Sequence, residues 1–358
     1  MAIAIIFLPL GMTFGVLVSF GYRLVPLLSK QTTLEFSPNS LRMGEVVVAI
    51  AAMIVKSVIY AIPGVPRANV AELQLNSPFA ITAEDVARFH LAVGNEGSAT
   101  PNLGHAQLIM FLSAMTESAM LLLLASPRCP INTLGAVNVR NKFELIRPEL
   151  CQIAELMNEH SAKLKAVVQQ DPRVVKRGIE WDLEVRINLA TDKDDQIVIF
   201  RQIFTMLEFR KKQSAQVPNL SEHTETGTLA SEPTHKSTQI SLSGKDPLAW
   251  AALCKDYNLI HLSGAAAKLF GLPGKLVHGN HAAAKALQSW NDTELSMPPG
   301  NKPLKMRVDF KKPMVVPGVF DVELREPDHT GTEFLILRKG KVHATGRYSL
   351  LEPYNYQT

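Results

Sequence analysis

The sequence predicts an α+β protein made of two like units in series. Three observations carry this. A long apolar helix-like run followed by strand-like alternation lies between Leu103 and Glu208, the same order recurs from Asn280 to Leu350, and a polar stretch at residues 211–238 separates them. No residue-level repeat accompanies the two halves, so the duplication rests on the order of elements alone. The 358 residues exceed the needs of one such unit and suit about two domains.

Composition narrows the class. Hydrophobic residues at 46% and charged residues at 20% are ordinary for a globular chain, so disorder is expected only locally. A net charge of +4 is too weak to argue for nucleic acid and would suit an anionic ligand. The three cysteines, Cys129, Cys151 and Cys254, are far apart and show no CxxC spacing. That speaks against a disulfide framework or a zinc site and fits a reducing compartment.

Met1 to Tyr22 is apolar and uncharged, long enough to cross a bilayer core as a helix, and followed by Arg23, Lys30 and Arg42. No positive stretch precedes it and no small-residue cleavage site follows, so a cleaved signal fits poorly. The basic residues after it would place its C-terminal side in the cytoplasm. A second apolar run, Val46 to Ile62, contains Lys56 and is the weaker span. The other reading of both runs is helices packed on the protein.

Leu103 to Ala125 is apolar nearly all round, which fits a helix wrapped by a sheet. Residues 135–144, 179–188 and 196–208 then alternate or carry β-branched and aromatic runs, as strands do. Residues 211–238 are rich in Ser, Thr, Glu and Pro and read as an exposed linker. In the second unit Asp246 is expected to cap a helix with Pro247 at its first position. Gly264 to Leu269 reads as a short Ala-rich helix, Gly271-Leu-Pro-Gly274 as a turn, and Asn280 to Trp290 as a second central helix. Residues 304–311, 319–325, 333–338 and 341–350 read as strands. The expected division is therefore 1–66 as an apolar N-terminal segment, 67–210 as the first unit, 211–240 as the linker and 241–358 as the second unit.

The residues that carry chemistry are Asp256-Tyr-Asn258-Leu-Ile-His261 and then His278-Gly279. Downstream, Phe310-Lys-Lys-Pro313 leads to Pro317-Gly318. An Asp, an Asn and a His in one loop are by themselves more often turn formers. The three blocks together resemble the MaoC-like dehydratase family, which includes the R-specific enoyl-CoA hydratases. Its pattern is Asp-aromatic-Asn-Pro-Ile/Leu-His, a short helix, a Gly-containing turn, and His-Gly opening a central helix. Three departures stand out: Leu259 where Pro is usual, Lys255 where Gly is common before the Asp, and Asn280 where an apolar residue is common after His-Gly.

The resemblance implies a double hot-dog fold, two antiparallel sheets each wrapped around a central helix, after the N-terminal apolar helical segment. It implies that Asp256 and His261 are the catalytic pair of a lyase, hydrating a trans-2-enoyl-CoA to the 3R-hydroxyacyl-CoA or running the reverse dehydration. A carboxylate and an imidazole that share one water can divide the base and acid duties, each poised by burial and by the other. Gly279, opening a helix, is expected to offer its N–H to the developing enolate oxygen, with no side chain in the ligand's way. Asn258 is expected to hold the loop, and His278 to be structural or to line the acyl entrance. The substrate would be an acyl-CoA or acyl-carrier-protein thioester, with no metal and no cofactor, and the sequence has no glycine-rich nucleotide loop. Lys311-Lys312 reads as a solvated strand end or a contact for CoA phosphates. His105, His160 and His343 show no ligand spacing. The first unit lacks Asp-x-Asn-x-x-His and is expected to be a non-catalytic partner that accommodates the acyl chain. Membrane association through residues 1–22 at the cytoplasmic face and a homodimer complete the expectations. A catalytically silent acyl-thioester binding protein and a hot-dog thioesterase are the rival readings.

Overall fold

The computed structural model describes residues 32–37, 40–68, 73–95, 103–158, 162–190, 196–209, 236–290, 295, 301–328 and 331–352. The apolar run at residues 1–22, most of the expected linker and His160 lie outside them.

The first unit runs β1 (Thr33–Glu35), α1 (Met43–Ala61), β2 (Gln74–Pro78), α2 (Ala83–Val93), α3 (His105–Ala125), β3 (Ala136–Leu145), α4 (Ile153–Asn158), β4 (Lys163–Val168), β5 (Arg173–Val175), β6 (Gly178–Ala190) and β7 (Gln196–Phe209). The second runs β8 (Lys236–Leu242), α5 (Asp246–Cys254), α6 (Leu259–Leu262), α7 (Gly264–Leu269), α8 (Gly279–Gln288), β9 (Leu304–Phe310), β10 (Gly318–Asp328), β11 (Gly331–Arg338) and β12 (Lys341–Leu350). β8 begins at Lys236, inside the stretch expected as linker. β2, α2 and β4 are elements that the alternation and helical spacing did not single out. α2 is set by its ends: Thr82 and Asp85 form a capping box, and Gly94 closes the helix at φ 83°.

The strands form one sheet in the order β1-β2-β4-β6-β7-β3-β9-β12-β11-β10-β8, with β5 against β6. Every pairing is antiparallel except β1 with β2. The two units join at β3 and β9, from Arg140 opposite Asp309 to Leu145 opposite Leu304. Each unit wraps its own helix, α3 or α8, and the helices touch each other within the curve. This is the double hot-dog fold.

Every residue of α3 from Ala106 to Ala125 is buried, which is why its sequence is apolar on all sides. By length and composition alone, α3 and α1 are the two described helices that could cross a membrane. For α3 the sheet replaces lipid. The sheet's other face carries an ionic ladder. Arg173 meets Asp182 at 2.7 Å, Arg201 meets Glu184 at 2.8 Å, and Arg140 meets Asp309 across the junction of the units at 2.8 Å. The carboxylates of these pairs are buried while the guanidinium groups are partly exposed, so each arginine serves to compensate a carboxylate that the sheet has taken out of water.

Candidate active site

The site grows from the end of α5. The helix begins at Asp246, one residue before the expected start, and the Asp246 carboxylate accepts from Ser243 N–H at 3.1 Å and Lys285 Nζ at 2.8 Å. α5 closes on Lys255 in the left-handed region, φ 64° and ψ 9°. That conformation explains why glycine is common before the aspartate in the family pattern. Here the lysine side chain turns back to donate to Ala252 O at 2.8 Å.

The reversal presents Asp256. Its N–H donates to Cys254 Sγ at 3.5 Å, and its Oδ1 accepts Asn258 N–H at 3.1 Å. Asn258 caps α6, its side-chain oxygen accepting Ile260 N–H at 3.3 Å. Asn258 thus holds the loop, as expected for a short polar side chain at a turn.

α6 carries His261 against the strand-like segment before α8. Leu276 N–H donates to Ile260 O at 3.0 Å, and His261 Nδ1 faces Leu276 O at 3.0 Å. A neutral imidazole can give that carbonyl only an N–H, so Nδ1 holds the hydrogen and Nε2 keeps its lone pair. His278 stacks on His261, with ring centroids 3.7 Å apart and an interplanar angle of 24°. Its Nε2 donates to Asp256 O at 3.0 Å and lies 3.7 Å from Asp256 Oδ2. His278 is 2% exposed and packs against His261.

Burial, then the His261 charge, pushes the His278 pKa well below the usual imidazole range. Burial likewise lowers that of His261, while Asp256 works against the shift. One atom each from Asp256, His261 and His278 lies within 4.8 Å of the others. Three such side chains at that spacing could face a metal ion; His261 Nδ1 and His278 Nε2 are turned to carbonyls, which leaves His261 Nε2 and His278 Nδ1 as the remaining ring nitrogens.

Gly279 is the first residue of α8, where a helix leaves its backbone N–H groups unpaired. The expected reason for a glycine was open space for the ligand, yet a Cβ there would meet the Phe310 ring at 2.5 Å. The aromatic of β9 and the glycine of α8 are therefore one packing pair, which explains why the two sequence blocks go together. Lys311 and Lys312 are exposed past the end of β9.

Two groups escaped sequence reasoning. Asn280 donates to Ser113 Oγ on α3 at 3.0 Å and accepts from Asn141 Nδ2 on β3 at 2.6 Å. Gln202 donates to the same Ser113 at 3.1 Å and accepts from Thr116 Oγ1 at 3.0 Å. All five are buried, so the unusual asparagine is half of a polar tie between units. The other group is Glu117 on α3, 5% exposed, with Oε2 lacking a hydrogen-bond partner. Burial first, then the charge of Asp256, raises its pKa to about 8, against smaller opposing effects of Trp250 and Cys254. The sequence signals are the Asn280 departure and the polar residues of α3, where Gln107, Ser113, Thr116, Glu117 and Ser118 interrupt a mostly apolar helix.

No family model matches the chain. The 3-hydroxyacyl-thioester dehydratase X of Mycobacterium tuberculosis (strain ATCC 25618 / H37Rv) is 24% identical over 235 residues, 65% of this chain and 75% of that protein. The crystal structure of HtdX from Mycobacterium tuberculosis aligns with TM-score 0.56 at 21% identity, over 78% of this chain and 100% of that one. A MaoC-like dehydratase from Phytophthora capsici aligns with TM-score 0.54 at 13% identity, over 78% and 96%. At these identities the structures share the fold. The chain is thus a double hot-dog protein that resembles the MaoC-like dehydratases.

Proposed function

We propose that the chain is a lyase that adds water across the double bond of a trans-2-enoyl thioester, giving the 3R-hydroxyacyl thioester, or runs the reverse dehydration. The observation that supports it best is the convergence of the Asp256 carboxylate, a His261 ring with a free Nε2, and the N-terminus of α8. A separation within 4.8 Å is one that a single water could bridge with hydrogen bonds of about 2.8 Å at a tetrahedral angle.

In the hydration direction, Asp256 and His261 hold that water. One takes its proton as the oxygen bonds to C3. The displaced π electrons move to the thioester oxygen, and Gly279 N–H meets the charge that develops there. The proton needed at C2 returns from the same pair, and no redox step arises. Asn258 keeps Asp256 aimed, and His278 keeps the His261 ring in place from below. Residues 67–210 serve as a non-catalytic partner supplying one wall, residues 211–240 as the link, and residues 241–358 as the catalytic unit. The carrier is coenzyme A or an acyl-carrier protein. Residues 1–22 hold residues 241–358 at the cytoplasmic face of a membrane.

The test is the enoyl-thioester absorbance of crotonyl-CoA and of a longer enoyl-CoA, followed with the purified full chain. The expected result is loss of the band without release of free thiol, abolished in Asp256→Asn and in His261→Ala. Thiol release would make it a thioesterase. Binding without turnover would make it a silent thioester-binding protein.

A further inference from the structure

The apolar run at residues 46–62 was the weaker candidate for a membrane because it contains Lys56. The structure shows where that charge goes. Lys56 is buried, and its Nζ donates to Leu124 O, to Ser126 O at 3.2 Å and to Cys129 O at 3.3 Å. It closes the C-terminal end of α3, where helix carbonyls lack partners. Ser57 meets Thr133 Oγ1 at 3.0 Å, and Tyr60 donates to Cys129 O at 3.1 Å, on the same side of α1. The acid of the helix, Glu45, is also buried and accepts from Arg42 N–H.

With Glu45 and Lys56 turned inward, the outward face of α1 has no charge. Val47, Ile54, Val55, Val58 and Ile59 are exposed there, Val55 by 58% and Val58 by 57%. Their spacing of three and four residues places them in one stripe. Uncharged exposed residues continue through Ile62, Pro63 and Gly64 to Pro66. Nineteen residues of helix make this strip about 28 Å long. Scattered exposed apolar side chains need no account, but a continuous strip marks an interaction surface.

We propose that this face of α1 lies in the plane of a lipid bilayer surface, with its side chains among the outer acyl carbons. This deepens the membrane placement given above and does not depend on the chemistry at Asp256. Two features favour lipid over a second protein. Protein interfaces carry about one hydrogen bond per 100–200 Å², whereas the outward stripe of α1 offers apolar side chains alone. The same chain also carries the uncharged apolar run Met1 to Tyr22, with Arg23, Lys30 and Arg42 in the stretch between it and α1, as suits anionic headgroups. Crossing the bilayer is disfavoured, because it would pull Lys56 off its three carbonyls. The face that an ordinary interfacial helix turns to water is here seated on protein.

The native tryptophans make a direct test available, since Trp181, Trp250 and Trp290 are all buried. The full chain carrying Val58→Trp is mixed with vesicles of phosphatidylcholine and phosphatidylglycerol, with plain or brominated acyl chains. The expected result is a blue shift of the new indole on adding plain vesicles and loss of its emission with brominated ones. The unsubstituted chain should show neither. Val55→Glu combined with Ile59→Glu should lower vesicle partitioning about tenfold or more, with enoyl-thioester turnover in detergent unchanged.

Vesicle binding without quenching at position 58 would overturn the α1 contact while leaving the anchor at residues 1–22 in place. An indole already blue-shifted before vesicles are added would also overturn it, and would mean that the chain's own segment or a second copy covers the strip. No vesicle binding at all would sink both the contact and the membrane placement, and leave the hydratase reading to its own assay.

Discussion

The two central helices lie in the same sheet and do different work. α3 is 21 residues long and is buried along nearly its whole length, with Lys56 against its C-terminal end. α8 is 10 residues long, and its N-terminus opens beside Asp256 and His261. Both units therefore contain the scaffold. The candidate site adds a loop that reverses through Lys255 and delivers Asp256 and His261 to the N-terminus of α8. That loop belongs to the second unit, and the first unit contributes Ser113 and Glu117 from the side of α3. The contrast suggests that in a duplicated fold the copy without the reacting loop can still act on the site through its central helix.

The largest effect should fall on the loop. Asp256→Asn and His261→Ala are each expected to lower turnover by about 10²–10⁴-fold, the range for a positioned acid or base, with circular dichroism unchanged. Burial holds the His261 pKa below 6.5, so the free base is already populated at neutral pH. kcat/KM should be flat around neutrality and fall on the acid side below 6.5. An acid limb above neutrality would contradict the buried, neutral His261.

Next come the two packing ties of α8. Gly279→Ala places a methyl group against the Phe310 ring and should cost about 1–3 kcal/mol of stability together with turnover. Phe310→Leu in the same chain should restore most of the stability, measured by urea unfolding. If Gly279→Ala alone is stable but inactive, the close approach of a ligand is the better reason for the glycine. Asn280→Ala leaves Asn141 without its 2.6 Å acceptor and should cost about 1–3 kcal/mol. A double-mutant cycle with Ser113→Ala should give a coupling energy clearly different from zero. Additive losses would mean that the units are not tied through this pair.

Much of this arrangement could be read from the residues, for identifiable reasons. β3 and β6 show in their alternation, β7 in its β-branched and aromatic run, β9 and β12 in the Gly and Pro signals that bound them, and α3 in its apolar length. Asp256, Asn258 and His261 stand out through the resemblance to a family pattern, and the structure brings them together on one short turn. What could not be read depends on contacts between residues far apart in sequence. Asn280 looked like a departure until Ser113 and Asn141 came beside it, 167 and 139 positions away. Gly279 reads as room for a ligand, and the sequence does not show that the Phe310 ring, 31 positions away, lies where its Cβ would be. Lys56 looked like a flaw in an apolar helix until three carbonyls after α3 accounted for it. β2 and β4 are short strands whose place is set by partners and not by pattern.

Glu117 gives the finest test of how the first unit acts on the second. An unfolded glutamic acid releases its proton near 4.5, whereas the folded one holds it to about 8, chiefly through burial and then through the charge of Asp256. Between those values the folded state binds more protons than the unfolded state. The contribution is therefore full below 4.5 and is lost as pH rises through about 8. Glu117→Gln has the same shape and no proton to lose. Its melting temperature should match the unsubstituted chain near pH 4 and exceed it by a margin that grows up to about pH 8. In an Asp256→Asn background the margin should shrink, because one of the two causes is gone. A margin independent of pH would mean that Glu117 is already ionised in the fold. A margin unaffected by Asp256→Asn would mean that the α3 carboxyl does not sense the loop across the boundary between the units.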